Sequence, residues 1–287
     1  MLKPLIKRIR RKLRNWKNTR RVKESLRKYK NRDTYQIEFN DCIVYFDSTD
    51  NFSKLWYHNS NRTSQYHEPH LTNQFISLIK EGDIVFDVGS LIGYFTCLAS
   101  ELVGEKGEVH AFEIDKDCMP LIEKSLVLAK HKNATIHHVA VCDHKGKERM
   151  TQTVRLKLGE MLSNKEEKTS IEIDATTIDH FVKENGVSPD LIKIDVEGSE
   201  FRVIKGMQQL LLKGKVKLLI EIHVKKLQQF YNVHYKELIQ FLHDMDYILE
   251  LIPEDNKLVK RLIVDQNTLL EDNSLIYAFR EEKLDGT

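Results

Sequence analysis

From residue 84 onward, short apolar runs of strand length alternate with longer stretches of helical period, and that alternation restricts the fold more than any other property of the chain. Residues 84–88, 108–112, 135–141, 191–194 and 217–222 read as strands; residues 92–103, 118–129, 177–185, 199–212 and 235–244 read as helices. A strand joined to the next through a helix pairs with it in parallel. A sheet built this way is covered on both faces, so its strands are apolar throughout instead of alternating. Two final strands, near 247–251 and 274–279, have no helix between them and are expected to form an antiparallel hairpin at one edge. The expectation is an α/β fold: a Rossmann-like, mostly parallel sheet. With 287 residues, 41% of them hydrophobic, the chain can fill one such core and still carry appendages.

The appendages lie at the N-terminus, and the chain divides into a basic arm (1–32), a strand-and-loop lead-in (33–65) and the main domain (66–287). The arm holds fifteen Lys or Arg against one acid, Glu24, leaving 30 bases and 42 acids for the rest of the chain. Within it Leu2, Leu5, Ile6, Ile9, Leu13 and Trp16 recur at spacings of three and four, the pattern of an amphipathic helix with a cationic face. Such a helix suits an anionic membrane surface; a partner protein or, less well, nucleic acid would also attract it. In the lead-in, residues 35–39 and 43–46 read as two short strands around Asn40-Asp41, and the polar stretch 48–67 reads as loop. Leu71, Phe75, Leu78 and Ile79 then mark a helix ending at Gly82. Cys42, Cys97, Cys118 and Cys142 are scattered without a CxxC pair, which points to a reducing compartment and no zinc site. No stretch reaches the ~18 uncharged residues of a membrane span, and the basic N-terminus has no signal-like apolar core, so the expected location is the cytoplasm, peripheral at the inner face of the membrane.

In doubly wound sheets, ligands bind beyond the carboxyl ends of the strands. There the first strand runs into Asp87-Val88-Gly89-Ser90-Leu91-Ile92-Gly93, and the second ends at Glu113. Gly89 and Gly93 let the backbone approach a ligand and let the next helix start. The spacing is D-x-G-x-x-x-G where dinucleotide sites have G-x-G-x-x-G. Asp87 would repel a pyrophosphate but suits the cationic amino group of S-adenosyl-L-methionine, with Ser90 in the same turn. Glu113, 26 residues on, suits a ribose diol. Ala140, Val141 and Asp143 lie where an adenine ring would slot, although Asp143 also opens the turn Asp143-His144-Lys145-Gly146. The plainer alternative is a tight strand-to-helix turn with Glu113 as a solvated strand end.

A second set of polar residues stands at the ends of the next strands: Lys193, Asp195 and Glu197 on one, Glu221 and His223 on the other. Period-two alternation puts each set on one side of its strand, and polar groups in so apolar a sheet are costly unless paired. Two chemistries fit. The carboxylates and histidine can hold a divalent metal that activates an acceptor hydroxyl, or His223 or a carboxylate can act directly as general base. An internal salt-bridge network accounts for the same residues without catalysis.

The segments Val85-Phe86-Asp87-Val88-Gly89-Ser90-Leu91-Ile92-Gly93-Tyr94-Phe95-Thr96, Ala111-Phe112-Glu113, Asp190-Leu191-Ile192-Lys193-Ile194-Asp195-Val196-Glu197-Gly198-Ser199-Glu200 and Ile220-Glu221-Ile222-His223 resemble the FkbM family of methyltransferases in order and spacing. Tyr66-His67-Glu68-Pro69 resembles the family's pattern too, which adds Glu68 to the candidate cofactor residues. The resemblance spans about residues 66–250. It implies a seven-stranded class I methyltransferase fold, S-adenosyl-L-methionine as methyl donor, and O-methylation of a carbohydrate, glycan, lipid-linked or secondary-metabolite acceptor. The chain departs from the family at Ser90-Leu91, where Ala-Asn is usual. By analogy with catechol-type O-methyltransferases, Asp195 and Glu221 are candidate ligands of a magnesium ion. Two rivals are a nucleic-acid methyltransferase anchored by the arm and a non-catalytic cofactor-binding module at a membrane. Against the first, the chain has no Asn-Pro-Pro-Tyr segment and no Pro-Cys nucleophile.

Overall fold

In the lead-in, β1 (Thr34–Phe39) and β2 (Cys42–Asp47) pair antiparallel, Phe39 opposite Cys42, as the sequence predicts. The structure is a computed structural model that describes residues 20–40, 42–58, 66–150, 171–253 and 262–281. Residues 20–28 are helical and continue into Tyr29, which is buried. The apolar pattern of the arm at 2–16 falls outside the described residues.

The polar stretch after β2 is not all loop. It contains helix α1 (Asn51–His58), started by Asp50, whose Oδ1 accepts the Phe52 N–H at 2.8 Å. Phe52 and Tyr57 are buried, and Lys54 reaches inward to Asp33 at 2.7 Å. Phe52, Leu55 and Trp56 carry the three- and four-residue spacing that marks the helix, hidden among polar neighbours. Helix α2 (Pro69–Leu78) follows.

The alternation then appears as expected: β3 (Ile84–Val88), α3 (Tyr94–Val103), β4 (Glu108–Glu113), α4 (Met119–Ala129) and β5 (Ala134–His138). The apolar run 135–141 is divided. At Val139 the N–H turns back to the His137 carbonyl, and β6 (Ala140–Val141) joins β7 (Gly146–Met150) and β8 (Ile171–Thr176) in a separate sheet of order β6-β8-β7. Next come α5 (Ile178–Asn185) and β9 (Leu191–Ile194). The expected helix 199–212 is two helices, α6 (Glu200–Lys205) and α7 (Gln208–Lys213). They part at Gly206, where any Cβ would meet the Cys142 carbonyl oxygen at 2.1 Å. After β10 (Lys217–Ile222) the chain adds α8 (Val224–Tyr231), which the periodicity did not predict, then α9 (Tyr235–Asp244), β11 (Ile248–Ile252), β12 (Leu262–Ile263) and β13 (Ser274–Phe279).

The main sheet has the order β12-β11-β13-β10-β9-β3-β4-β5, with β3, β4, β5, β9 and β10 parallel. The sheet has eight strands where seven were expected, with the two-residue β12 at its rim. The hairpin of β11 and β13 is antiparallel as expected, but β13 is its inner strand, antiparallel to β10 on one side and β11 on the other. Val85 and Phe86, adjacent on β3, enter different cores, one on each face of the sheet. One core joins Phe86, Ile192 and Ile220 to α6, α7 and α9; the other joins Val85 and Leu219 to α3, α4 and the lead-in through Ile37, Val44 and Phe46. Each such fully buried side chain contributes about 1.5–3 kcal/mol.

Candidate functional site

Parallel register sets Asp87 beside Ala111 on one side and Lys193 on the other. The carboxyl ends of β3, β4, β9 and β10 therefore meet at one edge, and the Asp195 N–H donates to the Val88 carbonyl at 3.0 Å. Three residues of the turn after β3 have left-handed backbone: Gly89 (φ 87°), Leu91 (φ 51°) and Gly93 (φ 84°). A Cβ on Gly89 would stand 1.9 Å from the Asp195 carbonyl oxygen, so that glycine is fixed by the close approach of two strand ends. Asparagine tolerates this conformation at position 91 better than leucine does. The Leu91 N–H is nonetheless placed to donate to Glu113 Oε2 at 2.6 Å. The Ser90 hydroxyl donates within the turn, to the Asp87 carbonyl at 2.8 Å, and braces it.

Glu113 is the hub of one side of this turn. Its Oε1 accepts the N–H groups of Ile114 and Asp115 at 2.8 and 2.7 Å. Burial pushes its pKa up to about 7, against the pull of these amides. Oε1 is thus filled, while Oε2 keeps one lone pair for a ligand hydroxyl. Asp115 Oδ2, in a residue 9% exposed, has no hydrogen-bond partner at all. A buried acceptor without a donor beside a half-filled carboxylate fits the hydroxyls of a ribose, and these are the residues that would hold it.

Asp87 is placed differently from the sequence expectation. Its residue is 0% exposed, its Oδ2 accepts the Thr96 hydroxyl at 2.6 Å, and its Oδ1 lies 3.5 Å from Lys193 Nζ without a hydrogen bond. It acts on the site through Lys193. Ala140 and Asp143 belong to the small sheet and the turn after it, and Asp143 is gripped by Arg202 at 2.9 and 3.1 Å and by Lys205 at 3.4 Å. Burial alone would raise the Asp143 pKa; the Arg202 hydrogen bonds outweigh it and hold the carboxyl at about 2.

On the other side of the turn, Lys193, Asp195, Glu197, Glu221 and His223 come together. Lys193 is 2% exposed, lies over the Phe95 ring and sits 3.6 Å from Asp195 Oδ2. Burial opposes its charge, yet Asp195, Asp87, Glu68 and Glu221 outweigh that and hold the ammonium above its usual pKa. Glu68, at the start of α2, thereby faces this centre, with His67 paired to it at 3.1 Å. Of Lys193, Asp195 and Glu197, only Lys193 is on the strand, β9, and Glu221 is on β10. Asp195 and Glu197 converge because the chain leaves β9 through two left-handed residues, Glu197 (φ 56°) and Gly198 (φ 112°), not because of strand alternation. Glu197 pairs with Lys226.

His223, 2% exposed, follows β10 directly. Its Nε2 looks toward Glu197 (3.6 Å), Glu221 (3.6 Å) and Asp195 (4.0 Å), and its Nδ1 lies 2.7 Å from Glu200 Oε1. Glu221 accepts the Asn273 amide at 2.8 Å. Burial, then Asp195 and Glu68, push the Glu221 pKa up; His223 is also raised, burial being outweighed by Glu200, Glu221 and Asp195. Asp115 and Glu200 escaped the sequence reading, although both stand within three residues of acids it singled out.

The methyltransferase FkbM domain matches residues 87–249, which run from Asp87 through β11 and include both halves of this edge. The chain belongs to the FkbM methyltransferase family. As a member it is an S-adenosyl-L-methionine-dependent methyltransferase. A second family, protein-L-isoaspartate(D-aspartate) O-methyltransferase, matches residues 3–150 and overlaps the first over residues 87–150, which include the turn after β3. Among solved structures, the FkbM methyltransferase of Methylobacillus flagellatus KT is 17% identical, with 71% of this chain covering 48% of that one at a TM-score of 0.45. The present chain thus spans about half the length of that relative. An S-adenosylmethionine-dependent O-methyltransferase of Thermotoga maritima is 15% identical (88% of this chain, 79% of that one, TM-score 0.45). Fibrillarin of Aeropyrum pernix, with natively bound S-adenosyl-L-methionine, is 12% identical (86% and 94%, TM-score 0.44). No curated protein matches the chain.

Proposed function

We propose that this FkbM-family enzyme transfers the methyl group to a hydroxyl of a carbohydrate or glycan, free or lipid-linked, with His223 as general base. The carrying observation is the placement of His223: a buried imidazole whose Nε2 looks into a ring of three carboxylates beside the cofactor turn. An alcohol is a poor nucleophile until its proton is withdrawn, and an imidazole can withdraw it near neutral pH. S-Adenosyl-L-methionine, bound by Glu113 and Asp115 beside the Gly89–Gly93 turn, supplies the electrophilic methyl. The surrounding acids favour its positive charge, and Glu68 and Lys193 set the field between cofactor and acceptor.

Asp195, Glu221 and His223 offer ligand atoms within 4.8 Å of one another, the right types for a divalent cation. Lys193 already brings a cation to Asp195, and transfer here needs no metal. With methyl-labelled S-adenosyl-L-methionine and pools of glycans, lipid-linked glycans and RNA, label is expected on the glycan fractions and is expected to persist after exhaustive chelation. His223→Gln is expected to lower transfer about 10²–10⁴-fold with cofactor affinity held within about threefold. Label on RNA alone, or full activity in the variant, would sink the proposal.

The arm suggests where the acceptor is met. In the helical residues 20–28, Arg20, Arg21, Lys23, Arg27 and Lys28 are exposed while Tyr29 beyond them is anchored. No helix among the described residues is long and apolar enough to cross a membrane. We place the enzyme at an anionic membrane surface, reached through the arm. Deleting residues 1–19, which leaves the Tyr29 anchor intact, is expected to abolish co-sedimentation with phosphatidylserine vesicles; equal retention would exclude the membrane.

A further inference from the structure

We infer that Glu200 is the positioning residue for His223: it holds the ring hydrogen on Nδ1 and so leaves the Nε2 lone pair facing the acceptor hydroxyl. The inference rests on His223 as the base and extends the machinery to a residue that touches neither cofactor nor acceptor.

Glu200 is 0% exposed, unusual for a glutamate. Its Oε1 accepts the Gly198 N–H at 2.8 Å and contacts His223 Nδ1 at 2.7 Å. An ionised carboxylate has no hydrogen to give, so the hydrogen in the second contact belongs to the imidazole. A neutral ring with its hydrogen on Nδ1 has its lone pair on Nε2. Among the described residues, Glu200 is the only one hydrogen-bonded to this ring. The other groups facing it act through space: Asp195 and Glu197 from the loop, Glu221 from β10, and Asp272 ahead of β13.

The chain is bent with some strain to make this contact. Glu197 and Gly198 both have left-handed backbone, and a Cβ on Gly198 would meet Lys226 Cβ at 2.7 Å. The reversal carries α6 back under β10, so that Glu200 meets a histidine 23 residues later. A cap for Gly198 would need only one lone pair of the carboxylate.

Oε2 of Glu200 is buried with no hydrogen-bond partner. An uncompensated oxygen of this kind is most stabilised when positive charge appears beside it, which is what happens during transfer. The hydroxyl proton passes to His223 Nε2, the oxygen takes the methyl group, and the sulfonium leaves as the neutral thioether. The imidazolium–carboxylate contact is therefore stronger in the transition state than before it, so Glu200 raises kcat and leaves substrate affinity alone.

The test uses the full chain with 15N-labelled imidazoles, with and without S-adenosylhomocysteine, at a pH where His223 is neutral; His223→Gln identifies its resonances. In the wild type the ring is expected to carry its hydrogen on Nδ1. In Glu200→Gln, whose amide can donate to Nδ1, the hydrogen is expected to move toward Nε2, and Glu200→Asp should retain it on Nδ1. With labelled S-adenosyl-L-methionine and the glycan pool, Glu200→Gln is expected to lower kcat about 10²–10³-fold with cofactor KM within about threefold, and Glu200→Asp to recover at least tenfold of that loss. An Nε2–H ring in the wild type overturns the inference, as does unchanged tautomer and kcat in Glu200→Gln. Should Glu200→Gln fail to fold, the wild-type tautomer and the aspartate variant still decide. Full activity in His223→Gln overturns the base itself, whatever tautomer is seen, so the two failures are told apart.

Discussion

Gly89→Ala is expected to cost about 3 kcal/mol or more and to abolish binding of S-adenosyl-L-methionine, whereas Gly82→Ala is expected to cost about 1–2 kcal/mol and to leave binding intact. The two glycines have nearly the same backbone angle, φ 87° and 89°, so the left-handed penalty of about 1–2 kcal/mol is common to both. They differ in what surrounds them. Nothing lies within 4 Å of a Cβ on Gly82, while on Gly89 it would stand 1.9 Å from a carbonyl oxygen of Asp195. Backbone on both sides cannot swing away as a side chain can. The strand ends must separate, which breaks the Asp195-to-Val88 hydrogen bond and adds an overpacking cost of about 1–3 kcal/mol. Urea unfolding of both variants, with calorimetric titration of the cofactor, reads the difference. Equal costs would mean that the close approach is not maintained in solution.

Lys193→Met is expected to destabilise the fold by about 3–5 kcal/mol, a large share of the ~5–15 kcal/mol available to a protein of ordinary stability. Methionine fills much of the same space, so the loss is electrostatic. Asp87, fully buried, keeps only the Thr96 hydroxyl, and Asp195 loses its nearest cation. Adding Asp87→Asn removes the stranded charge, and the double variant should recover roughly half of the lost stability. A double-mutant cycle in urea measures this coupling directly. Strict additivity would show that the 3.5 Å approach of Lys193 to Asp87 carries no energy, and that Lys193 answers to the acceptor side alone.

The sheet was legible because its central parallel strands β3, β9 and β10 are buried on both faces and stand out as largely apolar runs, as in Leu191–Ile194. The turn after β3 was legible for a different reason: an acid and two glycines at fixed spacing are what a strand-to-helix corner requires. Helix α1 was missed because its buried residues are Phe52, Ser53, Lys54 and Tyr57, two of them polar, so no apolar stripe marks the buried face. The environments of single residues were least legible. Asp143 was a free carboxylate in the sequence until the fold brought Arg202 to it from 59 residues away. Asp87 turned inward to Lys193, a partner 106 residues on, and Glu200 met His223 only because two left-handed residues redirect the chain after β9. Periodicity tells which residues share a face of one element; it holds nothing about what a neighbouring element delivers to that face.

The placement of β13 inside the sheet also imposes an order on synthesis. Asp87, Gly89 and Glu113 all emerge from the ribosome within the first 113 residues, and Lys193 and His223 by residue 223. Glu221 receives the Asn273 amide, and β10 its second edge partner, only when residues 273–279 follow. On the proposed assignment, a nascent chain therefore has its methyl-donor half in place while the acceptor half still lacks a wall. In the mature protein the same wall hangs on one junction: parting β13 from β10 would carry β11 and β12 away with it and, on the proposed assignment, open the acceptor half without disturbing Glu113.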